Sequence, residues 1–108
     1  MEYTQLDNSY NSFSKIQELV KVINQLYKFE FENGIKIHAK RRVTYKQGLI
    51  NTNYLHVIII KPAGSWEYYK ENKTGGFSRI DYGNNNNIIT ETEQNLKNTW
   101  QVVRIVYN

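Results

Sequence analysis

The residues best suited to chemistry are basic and lie close together in the middle of the chain. Between Gly34 and Lys61 there are six lysines and arginines, both histidines and no acidic residue. The rest of the chain is nearly balanced, so this stretch accounts for the formal net charge of +4. Its basic residues are Lys36, Lys40, Arg41, Arg42, Lys46 and Lys61. Such a cluster favours an anionic partner over a cationic one.

The order of these residues predicts that most of them share one face of a β-strand. Successive side chains of a strand point to opposite faces. One face would carry Ile35, Ile37, Ala39 and Val43, interrupted by Arg41. The other would carry what we call the basic row, namely Lys36, His38, Lys40, Arg42, Thr44 and Lys46.

The basic row predicts a binding surface for nucleic acid or a nucleotide. Lysine and arginine neutralise phosphates, and tyrosines on a sheet face add stacking platforms for unpaired bases. The residues predicted to bind the ligand are Lys36, His38, Lys40, Arg42, Lys46, Tyr45 and Tyr54. A solvated sheet face whose lysines prevent edge-to-edge aggregation explains the same pattern without a ligand.

The two histidines form a second candidate. In a hairpin centred near residue 47, His38 and His56 would be cross-strand neighbours, and paired imidazoles could transfer protons or bind a metal ion. The surrounding lysines disfavour a bound cation, and the chain has no cysteine to supply a thiolate. We therefore predict no metal and no cofactor, and two functionally unrelated histidines remain the alternative.

Glu67 and Arg79 form a third candidate together with a histidine. The chain resembles the small microbial ribonucleases of the barnase type in length, in basicity and in a helix that precedes the sheet. That resemblance implies glutamate as base, histidine as acid and arginine on the phosphate. The chain has no histidine beyond residue 56, whereas those enzymes place the acid on a late strand. A cross-strand salt bridge between Glu67 and Arg79 explains both residues without catalysis.

The first elements that would position these residues are a helix and a hairpin. Residues 1–11 show no period and are expected to be a loose arm or a short edge strand. Ser14 with Gln17 fits a capping box, and an apolar stripe at helical spacing follows. The stripe comprises Ile16, Leu19, Val20, Ile23, Leu26 and Tyr27. Next, a three-residue loop ending at Gly34 would pair Phe29 with Ile37, which puts apolar residues opposite each other.

The rest of the chain predicts further strands. Residues 47–53 are expected to turn the chain before a buried strand over 54–60. Another hairpin would pair Trp66 with Ile80, Glu67 with Arg79 and Tyr69 with Phe77. Gly83 and residues 84–87 are expected to form a loop, residues 88–89 a short strand, 91–98 one helical turn and 99–107 a central strand.

These elements predict a single α+β domain over residues 1–108, in which one N-terminal amphipathic helix packs on a curled antiparallel meander of five to seven strands. Cystatin-like and small-ribonuclease-like domains share this architecture. No run of apolar residues is long enough to span a membrane, and the N-terminus is not a signal peptide, so we expect a soluble cytoplasmic protein. The exposed edges of such a meander would allow a homodimer.

Three functions are compatible with these patterns. A phosphate-binding glycine loop and the HExxH and GxSxG motifs are absent, which favours a non-enzymatic protein that binds an anionic partner, either nucleic acid or an acidic protein surface. Frequent Asn, Ile, Lys and Tyr suggest an A/T-rich bacterial, phage or archaeal viral genome. An inhibitor from a phage or mobile element that blocks a host defence or nucleic-acid-handling enzyme is therefore the first alternative, and a barnase-like ribonuclease toxin is the second.

Overall fold

The computed structural model describes residues 3–84, which form six strands, one α-helix and a 3-10 turn. The strands are β1 (Thr4–Leu6), β2 (Tyr27–Phe31), β3 (Lys36–Lys46), β4 (Leu49–Ile60), β5 (Trp66–Glu71) and β6 (Phe77–Gly83). The helix α1 (Phe13–Leu19) and the 3-10 turn (Asn8–Tyr10) lie between β1 and β2. The predictions for residues 85–108, namely the asparagine loop beyond residue 84, two strands and a helical turn, lie outside the described residues.

All six strands belong to one sheet in the order β1-β2-β3-β4-β5-β6. Strands β2 to β6 form the predicted antiparallel meander, whereas β1 pairs with β2 in parallel. The fold is therefore α+β as predicted, but its sheet is mixed and its helix follows the first strand. The sequence predicted either a loose arm or a short edge strand for residues 1–11, and residues 4–6 form a short strand at the edge of the sheet.

The helix is shorter than its apolar stripe predicts. It begins after Ser12, whose hydroxyl accepts a hydrogen bond from the Lys15 amide, so the predicted cap at Ser14 is wrong. Beyond Leu19, Ile23 bridges to Arg41 and the Asn24 amide donates to the Arg41 carbonyl over 2.9 Å. Pairing with β3 therefore replaces the last predicted helical turns, which illustrates how tertiary contacts override helix propensity.

One face of the sheet forms the core with this helix. Ile16 and Val20 pack there against apolar side chains of β2, β3 and β4, which confirms the prediction that the helix covers a sheet face. These strand residues are Phe29, Phe31, Ile37, Ala39, Leu55 and Val57. We call this side of the sheet the helix face and the opposite side the basic face.

The β2–β3 hairpin has the predicted register. Phe29 pairs with Ile37, and the Phe31 amide donates to the Ile35 carbonyl over 2.8 Å. Gly34 has a φ of 88°, a left-handed conformation that glycine adopts without steric cost. The cross-strand match of apolar residues therefore identified the correct loop length.

The β3–β4 hairpin extends further than predicted. Its turn consists of Gln47 and Gly48, with φ of 55° and 79°, so residues 49–53 belong to β4 instead of a loop. Lys40 pairs with His56, and His38 pairs with Ile58. The predicted direct pairing of the two histidines is therefore wrong, because each histidine lies two residues away from the partner of the other. A register shift at Thr44/Tyr45 accompanies the shorter turn.

The end of this hairpin projects beyond the rest of the described sheet. Strand β2 pairs with β3 only up to Ala39, and β5 pairs with β4 only down to His56. There the Glu71 carboxylate accepts the Leu55 amide over 3.0 Å, which replaces the next backbone hydrogen bond of the sheet. We call residues 43–53 the arm, because within the described chain they pair only with each other.

The β5–β6 register differs from the prediction. Trp66 pairs with Gly83 instead of Ile80, Glu67 with Tyr82 and Tyr69 with Arg79, with a shift at Tyr68/Tyr69. A Cβ atom on Gly83 would lie 3.1 Å from the Trp66 ring, so the indole packs where only glycine leaves room. This packing decided the register, although the predicted pairing matched the apolar residues well.

Candidate anion-binding site

The basic row lies on one face of β3, as alternation predicts. Lys36 pairs with Ile60, Lys40 with His56 and Arg42 with Tyr54. The residues between them, such as Ile37 and Ala39, lie in the core on the helix face.

The basic row is nevertheless much less exposed than the sequence predicts. His38 and Lys40 are only 1% and 4% exposed. Lys36 and Arg42 are half-buried, and Lys46 is the exposed basic member of the row. Only parts of the basic row can therefore meet a partner directly.

The end of the row near Lys36 is covered by the N-terminal part of the same chain. The Tyr3 hydroxyl lies 2.6 Å from Nε2 of His38. The ammonium groups of Lys36 and Lys28 lie 4.9 and 5.4 Å from the centre of the Tyr3 ring. Cation–π attraction therefore holds this end together internally.

The other end brings three cations together around His56. Lys40 pairs with His56 on one side and Lys70 pairs with it on the other, while Arg42 is the next residue of the row. We call Lys40, Arg42 and Lys70 the cation cluster. Lys70 was not among the predicted site residues, because its position depends on the register of β5 with β4.

Burial and mutual repulsion act on the ionisation of this cluster. The pKa of His56 is lowered to about 3, first by burial and then by the positive charges of Lys70, Arg42 and Lys40. Burial, followed by the charge of Arg42, lowers the pKa of Lys40. Burial also lowers the pKa of Arg42, although Tyr68 opposes this. An anion placed among these groups would therefore be stabilised by their field.

A small cavity of about 260 Å³ opens beside the cluster. Its walls are Arg42, Thr44, Thr52, Tyr54, His56 and Lys70. The Lys70 ammonium lies 5.3 Å from the centre of the Tyr54 ring, and the hydroxyls of Thr44 and Thr52 bond to each other. The cavity thus offers two cationic side chains, a hydrogen-bonding wall and an aromatic ring to one anionic group.

His56 is positioned in this wall by Tyr68. Its Nδ1 and the Tyr68 hydroxyl form a hydrogen bond of 2.5 Å, and the two rings are stacked with centroids 5.9 Å apart. When His56 is neutral, as its low pKa requires, the hydroxyl can donate to Nδ1. The ring therefore acts as a fixed neutral wall at ordinary pH.

Two other predicted ligand-binding residues lie away from the cavity, at the end of the arm. Tyr45 is 59% exposed and pairs with Ile50, while Lys46 pairs with Leu49. Leu49 and Ile50 are themselves 74% and 59% exposed. The end of the arm is therefore an exposed apolar surface beside a lysine, which the prediction of a loop at 47–53 did not reveal.

Glu67 and Arg79 do not meet either histidine. Arg79 Nη1 donates to a Glu67 carboxylate oxygen over 2.9 Å, and Lys61 lies 4.0 Å from the other oxygen. Glu67 pairs with Ile59 and so lies on the helix face, whereas His56 pairs with Lys70 on the basic face. The sheet separates the three residues that the ribonuclease resemblance would require together, and the salt bridge accounts for Glu67 and Arg79.

Residues 3–84 contain neither a cluster of metal ligands nor a membrane-spanning helix. No group of three or more His, Cys, Asp or Glu side chains there could hold a metal ion. The single α-helix of that region, with seven residues, is too short to cross a membrane.

Comparison of the chain with protein-family models, with curated proteins and with solved structures finds no match.

Proposed function

We propose that this protein is a non-enzymatic binding protein whose basic, tyrosine-bearing sheet face engages single-stranded nucleic acid. The observation that carries this proposal is that Arg42 and Lys70 line one cavity together with Tyr54, while the charge of Lys40 acts on His56 in its wall. Phosphate groups would lie against the cations, and a neighbouring base would stack on the ring.

The exposure of these side chains supports this assignment of roles. Lys70 is exposed and can reach a phosphate directly, whereas Arg42 and Tyr54 are half-buried and pre-positioned by pairing across β3 and β4. Side chains that are pre-positioned in this way, as those of Arg42 and Tyr54 are, lose little conformational entropy on binding. Lys40 is buried and would act through its charge instead of by contact.

Binding of a fluorescein-labelled twelve-nucleotide oligo(dT) tests the proposal by fluorescence anisotropy. A hydrogen bond to a charged group contributes about 1.5–3 kcal/mol, so Arg42→Gln and Lys70→Gln should each weaken binding about tenfold or more. Lys21→Gln removes the same charge from an exposed site distant in sequence from the cluster and should weaken binding much less.

The salt dependence gives a second readout. Two phosphate contacts, by Arg42 and Lys70, predict a slope of about −1.4 in log affinity against log salt concentration, and Arg42→Gln and Lys70→Gln should each reduce its magnitude by about 0.7. The proposal is wrong if the wild-type protein does not bind at low salt. It is equally wrong if Lys21→Gln weakens binding as much as Lys70→Gln does.

A second candidate function, binding to a protein, is favoured by the exposed end of the arm. Tyr45, Leu49 and Ile50 are large apolar side chains exposed at the end of the arm, and exposed apolar side chains of this kind can anchor protein interfaces. An inhibitor or accessory factor of phage or mobile-element type that blocks a host nucleic-acid-handling enzyme would use such an anchor.

Capture from a nuclease-treated lysate of the source organism can test this alternative. A genuine partner would be retained by the wild-type protein and lost with the double variant Leu49→Ser, Ile50→Ser. Ile80→Ser is the matched control, because Ile80 is also an exposed aliphatic residue, at 49%, but lies on β6. A protein retained equally by all three forms would contradict the role of the arm.

A homodimer through a sheet edge and a cytoplasmic location in a bacterial or archaeal host stay predictions.

A further inference from the structure

A cavity of about 410 Å³ lies on the helix face, on the opposite side of the sheet from the cation cluster. Its floor consists of apolar side chains from α1 and three strands, namely Ile16, Phe31, Ile37 and Ile59. Cavities of this volume fall in the range that holds small organic molecules in proteins. A ligand in this cavity would bind independently of nucleic acid on the basic face.

The cavity remains open because the Phe13 ring packs against other aromatic rings instead of filling it. Phe13 is at the wall, but its ring stacks on Phe77 with centroids 4.2 Å apart and also contacts Tyr69, with centroids 4.9 Å apart. The short helix offers Ile16 as its next apolar residue on this side. The packing on Phe77 therefore leaves a space that the neighbouring isoleucines do not fill.

The rim of the cavity is polar but carries no charge. Asn8, Asn11 and Asn33 are exposed and surround the opening together with Ser12. The side-chain oxygen Oδ1 of Asn33 accepts a hydrogen bond of 3.1 Å from the Ile35 backbone amide. This bond fixes the Asn33 side chain and leaves its NH2 group to donate outward. Asn8 and Asn11 make no side-chain hydrogen bond with other described residues and can both donate and accept.

The absence of charge among the lining residues determines the class of ligand. A charged group brought against this floor would lose hydration without gaining an opposite charge, which is costly. Apolar protein cavities instead hold apolar molecules more readily than water. We propose that this cavity binds an uncharged, largely apolar small molecule, with one hydroxyl, carbonyl or amide group directed at the asparagine rim.

The uncharged fluorophore N-phenyl-1-naphthylamine provides a direct probe, because its emission rises in apolar surroundings. The full-length protein should bind one probe molecule saturably, and the affinity should stay constant between low and high salt. Binding should also persist in the double variant Leu49→Ser, Ile50→Ser, which removes the exposed apolar side chains of the arm.

Two neighbouring residues of β4 give a matched pair of variants. Ile59 and Ile60 are both half-buried, but Ile59 lines the cavity whereas Ile60 faces the basic side opposite Lys36. Ile59→Phe should fill the cavity and weaken probe binding at least tenfold, and Ile60→Phe should leave it within twofold. Thermal unfolding identifies variants that no longer fold.

If Ile59→Phe does not fold, a bulky residue at the rim replaces it. Asn11→Trp should obstruct the opening and weaken binding, whereas Asn51→Trp, on the exposed arm, should not. The proposal is overturned if the wild-type protein shows no saturable probe binding, as it would if another part of the chain occupied the cavity. Equal weakening by both members of a matched pair also overturns it.

Discussion

Acidification should destabilise this protein through the buried side chain of His56. Its pKa is about 3 in the folded protein, against 6.5 for a free imidazole. Between these values the unfolded chain binds a proton that the folded protein does not. Stability therefore rises with pH across this window and is lost as the pH falls below 6.5. Burial of the ring is the main cause of the low pKa of His56, followed by the positive charges of Lys70, Arg42 and Lys40.

The expected loss follows from the size of the shift. Each pH unit inside the window is worth up to about 1.4 kcal/mol in the free energy of unfolding. Lowering the pH from 7 to 5 should therefore cost about 2 kcal/mol through His56 alone. Carboxylates that titrate over the same range add their own contributions, so the effect must be measured as a difference between two proteins.

Urea unfolding of wild-type protein and His56→Gln at pH 7 and pH 5 isolates the contribution of this residue. Glutamine does not titrate and can still form a hydrogen bond with the Tyr68 hydroxyl. Between pH 7 and pH 5, the free energy of unfolding of His56→Gln should therefore fall by about 2 kcal/mol less than that of the wild-type protein. An equal pH dependence of both proteins would refute the argument, because it would mean that His56 protonates as readily in the folded protein as in the unfolded chain.

Two further predictions concern the positions that hold the hairpins together. Gly34→Ala should destabilise the protein more than Gly75→Ala: both residues have a positive φ, but a Cβ at Gly34 would lie 3.1 Å from Pro62 and one at Gly75 would meet nothing within 4 Å. Each should lose about 1–2 kcal/mol from backbone strain, and thermal unfolding would show the additional loss at Gly34. Glu71→Gln should cost about 1–3 kcal/mol in urea unfolding, because this carboxylate joins α1, β3 and β4, and the more exposed Glu67→Gln should cost less than about 1 kcal/mol.

The sequence predicted those parts of the fold that depend on neighbouring residues. The β2–β3 loop was found because one register matches apolar residues and the other sets Phe31 against Lys36. The alternation along β3 likewise identified which side chains share a face. Both patterns involve strands that are close in sequence, so the relevant partners could be compared directly.

The predictions that failed depend on partners that are distant in sequence. The helix stops early because Ile23 and Asn24 pair with Arg41. The β5–β6 register depends on the space that Gly83 leaves for Trp66. The first preference has no signal within the helix itself, and the second depends on the packing of one side chain over a glycine, which matching of apolar pairs does not detect.

The β3–β4 turn failed for a different reason. A two-residue turn with positive φ at both positions usually carries Asn or Asp first, whereas here Gln47 adopts a φ of 55°. The sequence therefore lacked the usual turn signal, and the arm with its exposed apolar end remained hidden. The candidate site was predicted in part for the same reason: Arg42 and Tyr54 were found, but their relation to Lys70 required the correct registers of β4.

The cation cluster also predicts that an anionic ligand stabilises the folded protein. Burial lowers the pKa of both Lys40 and Arg42, and repulsion by the charge of Arg42 lowers the pKa of Lys40 further, so folding disfavours the charged forms of these side chains. A ligand that binds only the folded protein raises stability by RT ln(1 + [L]/Kd), and an anion at the cluster would also reduce this repulsion. Inorganic pyrophosphate should therefore raise the thermal midpoint of the wild-type protein, and Lys70→Gln should reduce the rise. An uncharged ligand in the cavity on the helix face should raise the midpoint equally in both proteins, so the two sites can be separated by one titration each.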